Sequence, residues 1–414
     1  MSIHNPKLRF KREDGTVFPE WGNKSFANAF APLNNNTFSR DMLAENGMVL
    51  NIHYGDILVK FGEVCDIQAM DIPKVNADID TSKYDVLQDG DIILADTAED
   101  ETVGKAIEIY HTGTSKVVSG LHTMACRPND KYAPKYMGYY INSPTYHNQL
   151  LPFMQGIKVT SIGRKNIADT VIYYPTDLEE QQKIADFLST VDEVIAQSEV
   201  EVQNLEQQKK AAMQKIFSQE VRFKREDGTE YPEWEEKKLG ELVTSANKDK
   251  VNTSQYKKIT IGLHKRGLSY STVHEDMADT RPFYRRYEGE LIIGKQNYFN
   301  GSIAIVSDEF DGCICSNAIM SFIFNSCVNG RFLYEAISRD TYLIYHSHLA
   351  EGGGQKELSE KKFLEMTVVI PPDIEEQQKI ADFLSAYDEA ISYVKLEFEH
   401  WKQLKKGLLQ QMFV

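Results

Sequence analysis

Residues 179–189 read EEQQKIADFLS, and residues 375–385 read EEQQKIADFLS again without a difference. A second pair frames the first: RFKREDGTVFPEW, from Arg9 to Trp21, returns as RFKREDGTEYPEW, from Arg222 to Trp234. An internal repeat decides the architecture before any local reading, and this period is too long for a solenoid. It is the length of a domain plus a long helix. The chain is therefore one module used twice in tandem, and two similar modules suit a partner with two similar sites.

Working outward, each repeat has an opening segment (RFKREDGT…PEW), a long divergent middle, and a closing strand, proline and helix. The expected boundaries are 1–176 for the first module, 177–220 for a central helix, 221–372 for the second module and 373–414 for a C-terminal helix. Asp89-Gly90-Asp91-Ile92-Ile93 matches Glu288-Gly289-Glu290-Leu291-Ile292, and Thr145-Tyr146 matches Thr341-Tyr342. The offset drifts from 213 to 199 and then 196, so the first middle carries insertions. Apolar runs at Asp56–Val59, Asp91–Leu94, Ser302–Val306 and Ala318–Phe324 predict strands, while Lys135–Asn142 and Arg331–Arg339 predict helices. The two do not alternate regularly, which predicts an α+β fold, two mixed modules each followed by a long helix.

The closing helices carry the clearest pattern. Asp177 and Asp373 suit N-caps, with Glu180 and Glu376 three residues on as capping-box partners. An apolar seam then runs Ile184, Leu188, Val191, Ile195, Ser198, Val202, Leu205, Lys209, Ala212, Ile216, in alternating steps of four and three. The second helix repeats it as Ile380, Leu384, Tyr387, Ile391, Val394, Phe398, Trp401, Lys405, Leu408, Met412. Two matched stripes, each roughly 60 Å long at 1.5 Å per residue, predict a paired coil. The pattern itself allows an antiparallel or a parallel pair.

Composition narrows the function classes. At 42% hydrophobic and 26% charged over 414 residues the chain is an ordinary globular one. It has no apolar run of membrane-spanning length and no apolar leader, which suggests the cytoplasm. Five scattered cysteines suit reduced buried thiols. The net charge of −15 weighs against nucleic acid, but −6 lies in 177–220 (4 basic, 10 acidic) and −3 in 373–414 (5 basic, 8 acidic). The modules themselves are near neutral. There is no GxxxxGK[ST], no [DN]PP[YF], no GxGxxG, no nuclease pattern and no HExxH, so neither catalytic residues nor a metal site are expected.

Together these segments resemble the specificity subunit of a type I restriction-modification system. PEW near the start of each half, the Gly-Asp-Ile strand and above all the doubled proline–acidic–EEQQKIADFL helix entry carry the likeness, which spans the whole chain. The resemblance implies a non-catalytic, sequence-specific DNA-binding subunit. Each module would bind half of a bipartite, asymmetric double-stranded site. The helices would form an antiparallel coiled coil that sets the spacing and docks two methyltransferase subunits. No cofactor would sit on this chain; S-adenosylmethionine, and ATP with magnesium, would sit on partner subunits, which can include restriction subunits that translocate DNA. A coiled-coil scaffold with no DNA role is the competing expectation.

Given that resemblance, phosphates call for Lys, Arg and hydroxyls, and bases for planar or bidentate groups. The candidates are Lys158, Thr160 and Ser161 with Arg164 and Lys165 in the first module. In the second they are Lys265, Arg266, Arg285, Arg286, Lys295, Gln296, Asn297, Tyr298, Gly353, Gly354, Gln355 and Lys356. Lys60, Lys105 and Arg127 are weaker. Asp96 to Glu101 is too acidic to face phosphate, and Trp21 and Trp234 suit core anchors. Ile184, Leu188, Val191, Ile195, Val202, Leu205, Ile380, Leu384, Ile391, Phe398, Trp401 and Leu408 form the expected helix interface.

Overall fold

The computed structural model describes residues 6–156, 159–248, 250–251, 255–271, 281–351 and 356–414. The chain forms two compact units, Met1–Glu201 with Val394–Val414, and Val202–Tyr393. Each unit thus holds one module, the start of one long helix and the end of the other.

In the first unit the strand Trp21–Ser25 pairs antiparallel with Val171–Pro175, joining the module's opening to its close. A five-stranded sheet runs in the order Phe30–Pro32, Thr123–Pro128, Ile92–Ala95, Ala106–Tyr110, Val64–Asp66, with the last strand parallel. All four residues of Ile92–Ala95 are buried. Successive side chains point to opposite faces, so Ile92 and Leu94 join a core with Tyr140 and Tyr146, while Ile93 and Ala95 join Ile57 and Ile107. The second unit repeats the device. Glu235–Lys238 pairs with Thr367–Ile370, and Leu291 and Ile293 face one core while Ile292 faces another.

One expected strand is a helix. Asp56–Val59 lies in Tyr54–Val59, capped by His53, whose Nδ1 accepts from the Gly55 amide. A short apolar run does not separate strand from helix by periodicity. Here the helix sends Ile57 into the core and leaves Val59 88% exposed.

The long helices span Leu178–Phe217 and Ile374–Gln411. Asp177 and Asp373 cap them, each accepting from the amide two residues on at 2.9 Å. Glu180 and Glu376 are not capping-box partners. Both are fully buried, and each binds the repeated opening segment. Arg9 donates to Glu180 at 2.6 and 2.8 Å, and Arg222 to Glu376 at 3.2 and 3.0 Å. Trp21 and Trp234 add their indole N–H groups to the same carboxylates. Arg12–Asp177 and Arg225–Asp373 flank them. Gln181 and Gln377 each donate to a strand-end proline carbonyl and accept from a module amide. Phe187 and Phe383 meet Phe10 and Phe223 edge-on at 5.7 Å. Between the two arginines of each opening segment and its Trp, Gly15 and Gly228 turn the chain at φ near +84° and +82°, which glycine alone adopts freely.

The heptad seam is realised: each of its residues is buried or half-buried. Within the first unit the start of the central helix packs on the end of the C-terminal one, burying Ile184, Leu188 and Val191 with Leu408 and Met412. Lys405 reaches Asp192 at 2.6 Å, and Phe413 lies near Trp21. Within the second, Lys209 reaches Asp388 at 2.8 Å, and Phe217 lies near Trp234. In both units the residue order of one helix rises as the other falls, so the pairing is antiparallel.

Candidate nucleic-acid interface

The two modules present the same backbone frame beside a hairpin loop. After the strand Ile92–Ala95, the Asp96 amide donates to His122 O (3.1 Å), and its carbonyl accepts from the Ile162 amide (2.9 Å). After Leu291–Gly294, Lys295 makes the matching bonds with Ala318 O (2.9 Å) and the Leu358 amide (2.8 Å). The loop is closed by a mutual pair of backbone bonds in each case, Gln155 with Ser161 and Glu351 with Glu357. Thr160 and Ser161 form a short strand against Thr97–Ala98.

In the second unit three candidate segments converge. The His264 and Lys265 amides donate to Asn300 O and Gly301 O at 2.8 and 2.9 Å. Gln296 donates to Glu357 at 2.8 Å, and Asn300 donates to Asn297 at 3.2 Å. A Cβ on Gly301 would sit 3.0 Å from the Lys265 nitrogen, so this close approach requires glycine. His264 and Lys265 hold φ of 55° and 59°, a region sparsely used by side-chain-bearing residues and associated with functional sites. Lys265 also pairs with Asp340 at 2.8 Å, and Arg266 bonds Leu263 O. Lys356 is exposed at the loop's end. Lys158, Gly353, Gly354 and Gln355 lie outside the described residues.

Two candidates leave the interface. Arg286 is only 2% exposed; its guanidinium meets Cys315 Sγ at 3.2 Å and Asn247 O at 3.1 Å, with Glu290 at 3.9 Å. Tyr298 is fully buried and donates to Ile337 O at 2.9 Å. Their sequence neighbours suggest a polar loop, yet the backbone turns both inward. Arg285 is half-buried, its guanidinium 5.2 Å from the Tyr256 ring and 5.3 Å from that of Tyr287.

In the first unit Arg164 and Lys165 are exposed on the helix Arg164–Ala168, and Arg164 donates to Asn35 at 2.9 Å. Lys105 is turned inward onto Leu58 O and Phe61 O, Arg127 clamps buried Asp91, and Lys60 pairs with Asp71. One open cleft in this unit, of about 340 Å³, is lined instead by Asp96, Thr97, His122, Gln155, Ser161 and Asn166 among others. Asp96 and Thr97 lie in the acidic run that argues against phosphate, and His122 carries no sequence signal that singles it out. The match of Asp89–Ile93 with Glu288–Ile292, carried a few residues further, sets Asp96 opposite Lys295.

Comparison with known proteins agrees with this architecture. A family model described as the type I restriction modification DNA specificity domain matches residues 57–207 and 231–397. The MjaX type I restriction enzyme specificity subunit of Methanocaldococcus jannaschii is 26% identical over 374 residues, covering 85% of this chain and 82% of the relative. The crystal structure of a type I restriction-modification S subunit from M. genitalium superposes with a TM-score of 0.58 at 13% identity, over 99% of both chains. Another structure, from work on assembly and conformational transition of the type I system, gives 0.54 at 15% identity over 95% of this chain and 98% of that one. The two structures share the fold. The chain belongs to the type I restriction-modification DNA specificity family. It is a specificity subunit, the non-catalytic member of its system.

Proposed function

We propose that each module reads one half of a split, asymmetric site on double-stranded DNA, and that the paired helices set the number of base pairs between the halves and dock two adenine methyltransferase subunits. The observation that carries this is the matched frame with divergent side chains: the two modules hold the same backbone bonds beside their hairpin loops but present different polar groups there. A pair of readers for two different half-sites needs that combination. His264–Arg266, Lys295–Asn297 and Lys356 supply donors in the second module; Thr160, Ser161, Arg164 and Lys165 do so in the first. The acidic helices need not approach phosphate. S-adenosylmethionine belongs to the methyltransferases, and ATP and magnesium to the two restriction subunits that can join; the complex works in the cytoplasm. No helix of the described residues is long and apolar enough to cross a membrane.

Co-expression of the chain with a type I methyltransferase subunit from the same genome, followed by purification and mobility-shift assays, tests the reading. The expected result is a stable complex that retards fragments carrying one bipartite motif, with affinity falling steeply with salt. A chain that binds no methyltransferase and no DNA would instead fit a coiled-coil scaffold.

A further inference from the structure

The matched positions beside the hairpin loops do more than differ. Asp96 stands where the second module has Lys295, and His122 where it has Ala318. Asn35 and Arg164 meet at 2.9 Å, while their counterparts Lys248 and Glu360 meet at 2.6 Å. That contact is made in both modules with the cation moved to the other partner. Hydrogen-bonding character is thus exchanged on a constant backbone.

Resting on the reading just given, we infer that Asp96 and Lys295 are specificity-determining residues, one for each half-site. Asp96 accepts from the exocyclic amino group of an adenine or cytosine in the major groove; Lys295 donates to the N7 and O6 acceptors of a guanine. An ionised carboxylate offers about four acceptor sites and no donor. Asp96 Oδ1 takes Thr97 Oγ1 at 2.8 Å and His122 Nδ1 at 3.3 Å, which fixes the group in place with Oδ2 still available to a ligand. Its side chain is 29% exposed, at the edge of the cleft. A carboxylate is repelled by phosphate, so on a DNA-facing surface Asp96 suits a base amino group and not the backbone. Lys295 presents the opposite role from the same frame, and lysine to guanine is the matching pair. Gln296 beside it is tied to Glu357, and the half-buried Lys295 lies within electrostatic reach of Glu360, which holds the ammonium at this edge of the module.

The test uses the full chain with its methyltransferase in a host lacking adenine methylation, with the genome read base by base. Asp96→Ala and Lys295→Met are made singly, and thermal unfolding of each purified complex is followed alongside. Asp96→Ala removes the acceptor and is expected to relax one base position in one half-site, lowering discrimination there roughly 5- to 150-fold, with the other half unchanged. Lys295→Met is expected to relax one position in the opposite half. Unchanged discrimination in both variants, or an even loss across all sequences in complexes that melt normally, would overturn the inference. If Asp96→Ala unfolds early, Lys295→Met decides alone. A wild-type complex that methylates no split motif would overturn the specificity reading itself, and this inference with it.

Discussion

Arg9 Nε lies 2.6 Å from Glu180 Oε1, joining the first repeated stretch of sequence to the second inside one unit. Arg222 and Glu376 restate the relation in the other unit. The carboxylates are fully buried, and the bonds are bidentate, the arrangement in which an ion pair in a protein interior is best satisfied. This explains the sequence repeat physically. EEQQKIADFLS and RFKRED…PEW are two halves of one clasp that fixes each helix to its module, so the positions that form it have partners to keep. The middles carry no such constraint.

Breaking the clasp from one side should therefore be severe. Arg9→Ala leaves a buried carboxylate uncompensated, with an expected loss of about 3–5 kcal/mol in the first unit. Arg9→Met with Glu180→Leu should recover much of it. Denaturant unfolding of the two variants measures the difference; equal stability for both would show that the pair contributes no specific interaction.

The seam lysine of the C-terminal helix makes a second sharp case. Lys405 meets both Asp192 and Glu63 at 2.6 Å. Burial pushes Asp192 up from the usual carboxylate range, and Lys405 opposes that rise. Lys405→Met should cost about 3 kcal/mol at neutral pH, and less as the pH falls, because burial holds the Asp192 carboxyl above the usual carboxylate range and an uncharged carboxyl no longer needs its cation. Thermal melts at neutral and acid pH test it; a pH-independent loss would place the effect in packing.

Glu108 predicts a pH dependence of the first unit. Burial pushes its carboxyl up to about 7, while amide bonds from Lys135 (2.6 Å) and Gly138 (2.9 Å) pull it down. A folded value above the ordinary 4.5 means that the group's contribution is full below that pH and is lost as pH rises to about 7. The wild type should lose about 3 kcal/mol relative to Glu108→Gln between pH 4 and pH 8. Parallel stability curves for the two proteins would contradict this.

Arg286 and Tyr298 should behave as core residues. Arg286→Ala removes a buried guanidinium and its bonds, and should lower the stability of the second unit by about 3 kcal/mol. Tyr298→Phe loses one buried hydrogen bond, about 1 kcal/mol. Neither should reduce the salt dependence of DNA binding, which reports phosphate contacts. A shallower salt slope for Arg286→Ala at normal stability would return it to the interface.

The helices, their seam and the doubled module were legible because periodicity and self-similarity are properties of the sequence itself. Ile184, Leu188, Ile380 and Leu384 are buried as their spacing requires. The antiparallel sense was not legible, since a heptad stripe reads alike in both directions; Lys209–Asp388 and Lys405–Asp192 reveal it. Glu180 fitted a local capping box at three residues' spacing, but its partner Arg9 lies far away in sequence and no local rule finds it. The surface placement of the candidate residues was half legible. Composition picked out Lys295 and Lys265, but it also drew in Arg286 and Tyr298, whose direction depends on how the backbone turns. It passed over Asp96, whose place follows from the module frame rather than from its charge.

This chain is proposed to choose where its system methylates DNA. The most direct measurement is a base-resolved map of adenine methylation in the host genome with the chain present and with it deleted. One bipartite, asymmetric motif is expected to lose its methylation on deletion and regain it on complementation. An unchanged map, in cells where the partner methyltransferase is expressed and active, would contradict it.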